Sequence, residues 1–191
     1  MGKRVFNPAN MCMLESPERY KFLPPYKTLK YLGLIEDDIM IDVGCGTGYF
    51  TIPAAQITGP AGKVIGLDIS EVMLDELRRK IFNLPGNIEL ILSDPIQFPP
   101  RDSTGTFVLL SNVLHEAENM ITMLKEARRV LKHGGKLAII EWEKKEMPMG
   151  PPIEDRLHAD EILSMVSQAG FVMPKIIPAG EYHIGCTAIK K

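Results

Sequence analysis

The sequence predicts an α/β chain: a doubly wound, seven-stranded, mostly parallel sheet whose last strand runs antiparallel. Three observations predict it. Short apolar runs alternate with amphipathic helical runs from residue 37 onward. The first apolar run ends in a turn with glycine at every second position, IDVGCGTGYF (41–50). The last two runs, 171–177 and 181–189, are separated only by a short Pro-Ala-Gly link. That link is too small for a helical crossover, so the pair closes the sheet as an antiparallel hairpin. The expected organisation is one domain, 1–191, with an N-terminal helical cap (1–36) and a sheet core (37–191).

In order, the opening stretch through Pro17 reads as irregular and Met-rich. Residues 16–33 then read as two short helices, broken at Pro24-Pro25 and closed by Gly33. The strands are expected at 38–43, 63–68, 87–92, 106–111 and 136–142, with helices between these five. A helix from about Gly48 to Ile57 has Pro53 awkwardly inside it. Ser70 is a candidate cap for a helix whose Met73, Leu74, Leu77 and Ile81 share a face. Met120, Leu124, Ala127 and Leu131 follow helical spacing, with Gly134-Gly135 expected to end that helix. A helix over 159–169 presents Ile162, Val166 and Ala169 and stops at Gly170. His158 stands where a Ser cap would be favoured.

Composition narrows the functional classes. The chain has 191 residues, 45% hydrophobic and 24% charged, with a formal net charge of −2. There is no basic excess to neutralise a phosphate backbone, so no nucleic-acid partner is expected. No apolar run approaches a membrane span, and no secretory h-region opens the chain. Cys12, Cys45 and Cys186 are odd in number and far apart. Neither a disulfide framework nor a zinc site is expected, and the four histidines (His115, His133, His158, His183) show no ligand spacing. The expected setting is reduced and cytoplasmic.

The glycine run carries the functional argument. A dinucleotide fingerprint would need a third glycine where Tyr49 stands. The observed GxGxG suits a ligand without a pyrophosphate, lying against bare backbone at a helix start. Asp68 ends the second strand, where a carboxylate can accept from ribose hydroxyls. Asp94 follows the third strand and could accept from an adenine amino group. Asp42, inside the run, could meet an ammonium or brace the loop.

Taken together, DVGCGTGYF, GLDIS, SDP, LLSNVLHE and LKHGGKLAIIEW resemble the motifs of class I S-adenosylmethionine-dependent methyltransferases, in register over most of the chain. WEKKEMPMGPPIEDRL and the FLPP stretch resemble a small bacterial and archaeal branch of that family. The resemblance implies a Rossmann-like methyltransferase fold and S-adenosylmethionine as cofactor. It implies cofactor-binding roles for Asp42, Gly44, Gly46, Gly48, Asp68, Ile69, Asp94 and Asn112. Where family members often carry an Asp at the start of strand four, this chain has Thr106.

The expected activity is methyl transfer to a small-molecule acceptor. His115, in the loop after strand four, is the candidate general base. Glu141 and Trp142 at the end of strand five, with Tyr20 and Met149, are the candidate acceptor pocket. Residues 16–33 and 143–156 are expected to close over the cleft. Cys45 reads as a small residue between glycines rather than a nucleophile. A non-catalytic cofactor-binding module is the competing reading, motivated by Thr106. A nicotinamide-dependent oxidoreductase is third, opposed by Tyr49 and by the closing hairpin.

Overall fold

Seven strands form one sheet: β1 (Ile39–Val43), β2 (Lys63–Asp68), β3 (Ile88–Leu92), β4 (Gly105–Ser111), β5 (Leu131–Trp142), β6 (Val172–Pro178) and β7 (His183–Ile189). Their spatial order is β3-β2-β1-β4-β5-β7-β6. The structure, a computed structural model, describes residues 7–84 and 86–191. The first six positions of the expected cap therefore lie outside the described residues. β1 to β5 pair in parallel, and β7 runs antiparallel to both β5 and β6. The winding reverses between β1 and β4, and their carboxyl ends open the crevice where such sheets bind ligands.

The helices are α1 (Pro17–Phe22), α2 (Pro25–Leu32), α3 (Thr51–Thr58), α4 (Glu71–Ile81), α5 (Met120–Val130) and α6 (Ala159–Gln168). Strand alternation sends neighbouring residues to opposite sides. Met40, Phe107, Leu109, Ala138 and Ile140 pack against α2 and α3. Ile41, Val43, Val108, Leu110, Leu137 and Ile139 pack against α5 and α6. Both faces are covered, as continuous apolar strands require. At the carboxyl ends the same alternation puts Asp42, Ser111 and Trp142 on the α2/α3 side, and Glu141 on the α5/α6 side.

Several expectations change. Residues Pro8–Glu15 form a 3-10 helix rather than an irregular lead, started by Pro8 and by the Asn7 side chain accepting from Ala9 N. Pro53 falls in the first turn of α3, where proline is tolerated. No helix joins β3 to β4. Residues 93–104 are turns crowded with prolines, tied down by Arg129 donating to Phe98 O and Pro100 O and by Glu126 accepting from Phe98 N.

The fifth helix ends at Val130, and Gly134-Gly135 lies inside β5 rather than stopping the helix. Leu131 is fully buried in either conformation, so apolar spacing could not separate them. The chain end decides the matter. Lys190 Nζ binds Leu131 O at 2.6 Å, and the Lys190 backbone pairs with Gly134 and Gly135. A bulge opposite Gly105/Phe107 absorbs the extra residues. The cap of α6 is supplied from within: Glu161 Oε2 accepts from His158 N at 2.7 Å.

Candidate functional site

The glycine turn separates two roles. Gly44, Gly46 and Gly48 all have positive φ (69°, 52° and 94°). A Cβ on Gly44 would collide with Val113, and one on Gly48 with Leu77. Those two glycines therefore let neighbouring elements close in. A Cβ on Gly46 would meet only Leu14 Cδ1, at 3.6 Å. Gly44 is exposed, Gly48 is buried, and Gly46 lies half-buried beneath the N-terminal 3-10 segment.

Asp68, 9% exposed, is held beside it. Its Oδ2 accepts from Gly46 N at 2.8 Å and its Oδ1 from Ser70 N at 2.9 Å. Burial raises its pKa, against those backbone donors. Asp42 is buried on the same side and accepts from Thr51 Oγ1 at 2.6 Å. Burial pushes its pKa up to about 6; the Thr51 bond opposes this and the Asp68 charge adds to it. Ile69 follows Asp68 with its side chain exposed. Asp94 is exposed, and its Oδ1 closes a local turn on Ile96 N at 2.8 Å. Burial lifts the Cys45 thiol well above its usual range, so it is an inert packing group.

A strap crosses the turn. Thr47 Oγ1 donates to Glu15 Oε1 at 2.5 Å. Lys80 Nζ pairs with Glu15 and donates to Thr47 O at 3.2 Å. Arg19 of α1 donates to Leu14 O at 2.8 Å and lies 4.0 Å over the Tyr49 ring. Burial lowers its pKa, while Tyr49, Tyr20, Glu15 and Asp42 act the other way. Tyr20, half exposed, has its ring 5.0 Å from Tyr49. Tyr49 Oη donates to Leu23 O at 2.7 Å, and Glu181 N to Phe22 O at 3.2 Å, so both sides of the cleft hold the α1–α2 junction.

On the other side of β5, His115 Nδ1 meets Glu141 Oε2 at 2.7 Å, both side chains buried. Glu141 Oε1 accepts from Leu114 N at 2.9 Å and His115 N at 3.3 Å. The carboxylate thus fixes both the ring and the loop that carries it. That loop begins at Asn112, left-handed at φ 56°, whose N–H donates to Ile140 O at 2.8 Å. The Asn112 side chain turns across β5 toward β7, with Nδ2 3.3 Å from His183 Nε2.

Trp142 packs against His183 with centroids 4.1 Å apart and the rings tilted by 36°, and Phe22 lies 5.9 Å from that imidazole at an interplanar angle of 14°. Burial drives the His183 pKa down to about 3, with the Arg19 charge adding to it, so the ring is neutral. Met149, half-buried, sits in the loop after β5. Arg156 holds that loop by donating to Pro151 O, Lys145 O and Met149 O at 2.9, 2.6 and 3.0 Å.

The structure thus brings Asp42, the three glycines and Asp68 together beyond β1 and β2. His115 pairs with Glu141 on the α5/α6 side of the sheet, while Asn112 and Trp142 approach His183. Asp94 and Ile69 are exposed, Tyr20 lies on α1 against Tyr49, and Met149 is in the loop after β5. The sequence alone does not single out Arg19, Arg156 or the Glu15–Thr47–Lys80 strap, and His183 stands there only among four histidines without ligand spacing. No local pattern marks Arg19. His183 had a faint signal in opening a strand beside Trp142, but only the antiparallel register makes them partners.

Comparisons with known proteins bear on the family and the fold. The sequence family described as a methyltransferase domain matches residues 40–135. A SAM-dependent methyltransferase from Aquifex aeolicus superposes with a TM-score of 0.93 at 31% identity, covering 98% of this chain and 100% of that one. A demethylmenaquinone methyltransferase of Staphylococcus aureus is 32% identical over 123 residues, 64% of this chain and 51% of the relative. The chain spans about half the length of such curated relatives. A phosphoethanolamine N-methyltransferase of Haemonchus contortus, in complex with S-adenosylhomocysteine, shares the fold alone, with a TM-score of 0.73 at 14% identity over 87% of this chain and 52% of that one.

Proposed function

Because this chain belongs to the class I S-adenosylmethionine-dependent methyltransferases, we propose that it transfers a methyl group to a small-molecule acceptor held between β4, β5 and the N-terminal cap. When bound, the cofactor supplies a methyl already activated on a positively charged sulfur. The protein's task is then to hold, orient and keep dry.

In this reading Asp68 accepts from the sugar hydroxyls with the lone pairs that Gly46 and Ser70 leave, and Asp94 accepts from the base. Gly44, Gly46 and Gly48 shape the backbone against the methionine end, and Ile69 covers the adenine. Asp42 and Asn112 bound the methionine end on either side of the crevice. His115 takes the acceptor's proton. With Nδ1–H donating to Glu141, the accepting atom is Nε2, and the buried carboxylate stabilises the charge that develops. Tyr20, Glu141, Trp142 and Met149 surround the acceptor side.

The observation that supports the reading is the hydrogen bond from Gly46 N, within the glycine turn, to the Asp68 carboxylate. Thr106, which favoured a non-catalytic module, sits at the opposite end of the sheet. It donates to Asp38 Oδ1 at 2.7 Å and accepts from Ile39 N at 2.9 Å, bracing the start of β1. Its identity bears on the frame, not on transfer. Calorimetric titration of Asp68→Ala with S-adenosylhomocysteine tests the cofactor assignment, with circular dichroism as the fold control. A large loss of affinity is expected, and undiminished affinity would remove the sugar-binding role.

A further inference from the structure

Arg19 is a half-buried cation without a counter-ion. It lies on α1, with its guanidinium carbon 4.0 Å from the centre of the Tyr49 ring. Glu15 and Asp42 are the carboxylates that act on it electrostatically, and both are engaged elsewhere. Glu15 pairs with Lys80 and accepts from Thr47 Oγ1, and Asp42 accepts from Thr51 Oγ1. None of the ion pairs among the described residues includes Arg19. Among those residues its side chain makes a single hydrogen bond, from Nη1 to Leu14 O at 2.8 Å. The Tyr49 ring attracts the charge but leaves the remaining N–H donors without an oxygen acceptor from the protein. Withdrawing a guanidinium from water is costly unless a partner anion meets it.

The contacts of Arg19 hold it at the glycine turn. Tyr49 directly follows Gly48. Leu14, whose carbonyl takes the Arg19 bond, has its Cδ1 3.6 Å from where a Cβ on Gly46 would stand. The next residue, Glu15, is tied to Thr47 between those glycines. The guanidinium is therefore anchored to the same short stretch that holds the Asp68 and Asp42 carboxylates.

Charge balance supplies the rest. The residues assigned to the cofactor include the carboxylates of Asp42, Asp68 and Asp94 but no cation. The amino-acid end of S-adenosylmethionine carries a carboxylate as well as an ammonium. Asp42 offers a charge to the ammonium, and the assigned set offers none to the carboxylate. A planar guanidinium fork matches a carboxylate better than any other side chain does.

We propose that Arg19 is a cofactor-positioning residue that binds the amino-acid carboxylate of S-adenosylmethionine. The proposal rests on the cofactor reading and adds to it a residue from outside the sheet. Because α1 belongs to the cap, the bound cofactor becomes a contact between cap and sheet.

The test compares S-adenosylhomocysteine with its decarboxylated form, which lacks only the carboxylate, by calorimetric titration of the intact chain. The parent should bind the decarboxylated compound roughly ten- to hundredfold more weakly. Arg19→Gln should weaken S-adenosylhomocysteine by a similar factor and bind the two compounds within about threefold of each other, the non-additivity expected of interacting groups. Arg19→Lys keeps the charge without the fork, and its preference should fall between those of the parent and Arg19→Gln. A parent without preference, or an Arg19→Gln variant that keeps the parent's preference, overturns the proposal. Equal loss of both compounds with a lowered melting temperature marks Arg19 as structural and overturns it too. A parent that binds neither compound overturns the cofactor reading instead.

Discussion

His115 and Glu141 stand 26 residues apart in sequence, yet the imidazole Nδ1 and the carboxylate Oε2 meet at 2.7 Å. The strand places the acid, and the loop after β4 wraps back over it, because Glu141 Oε1 also accepts from Leu114 N and His115 N. The same carboxylate therefore shapes the loop and sets which imidazole nitrogen bears the proton.

That double duty separates two substitutions. His115→Ala should lower turnover by roughly 100- to 10,000-fold while cofactor affinity stays near wild type. Glu141→Gln keeps an oxygen for the two backbone amides but presents an N–H to Nδ1. The imidazole must then hold its proton on Nε2, the wrong tautomer for a base, and turnover should fall with the fold intact. Steady-state kinetics beside S-adenosylhomocysteine titration reads both. A parallel loss of turnover and cofactor affinity in His115→Ala would mark the pair as structural only.

Asp42 predicts a pH dependence. Its folded pKa is about 6, against an ordinary value of 3.8, so between those values the folded chain holds more protons than the unfolded one. Stability contributed by this group is therefore full at low pH and declines as pH rises through about 6. Asp42→Asn keeps an acceptor for Thr51 and removes the buried charge. At about pH 7.5 it should be more stable than wild type, by on the order of 3 kcal/mol, and the gap should close by about pH 4. Chemical denaturation across that range measures it, and a gap that widens on acidification would contradict the assignment.

The glycine turn divides stability from binding. Gly48→Ala meets a positive φ and the Leu77 side chain together, so it should cost about 2–4 kcal/mol of stability. Gly46→Ala has room for its methyl and should cost only about 1 kcal/mol, while weakening S-adenosylhomocysteine binding. Melting curves and calorimetry on the two variants decide the division. If Gly46→Ala binds like wild type, the turn does not face the ligand there.

Legibility followed the range of the interactions. The strands, the hairpin and α4 were readable because alternation, turn residues and the Ser70 cap are local signals. The boundary between α5 and β5 was not, since Leu131 is apolar and buried in either conformation and the deciding bonds come from Lys190 at the far end of the chain. Asp42 and the glycines could be singled out because a motif holds them within a few positions, and Asp68 because it ends the next strand. The Asn112–His183 approach spans 71 residues and depends on β7 entering beside β5, information no short window contains. Arg19 is more remote still: a charged residue on a six-residue helix acquires meaning only when α1 folds over Tyr49.

The cap yields the last prediction, and its boundary matters. Leu23 is fully buried and its carbonyl accepts from Tyr49 Oη, so a truncation through residue 23 would open the core as well as the cleft. Removing residues 1–15 instead spares Ser16, which caps α1 through Arg19 N, and spares the junction latched by Tyr49 and Glu181. It deletes Leu14 above Gly46 and the Glu15 carboxylate that ties Thr47 to Lys80. The shortened protein should melt within a few degrees of the parent, because none of the described side chains among residues 7–15 is buried. Its S-adenosylhomocysteine dissociation, followed by stopped flow, should be faster by roughly tenfold, the scale expected for losing one or two charge-assisted hydrogen bonds across the site. An unchanged dissociation rate would mean that the strap braces the turn without covering the ligand. Adding Glu15→Gln in the full chain separates the two contributions, since it weakens the tie but leaves Leu14 in place.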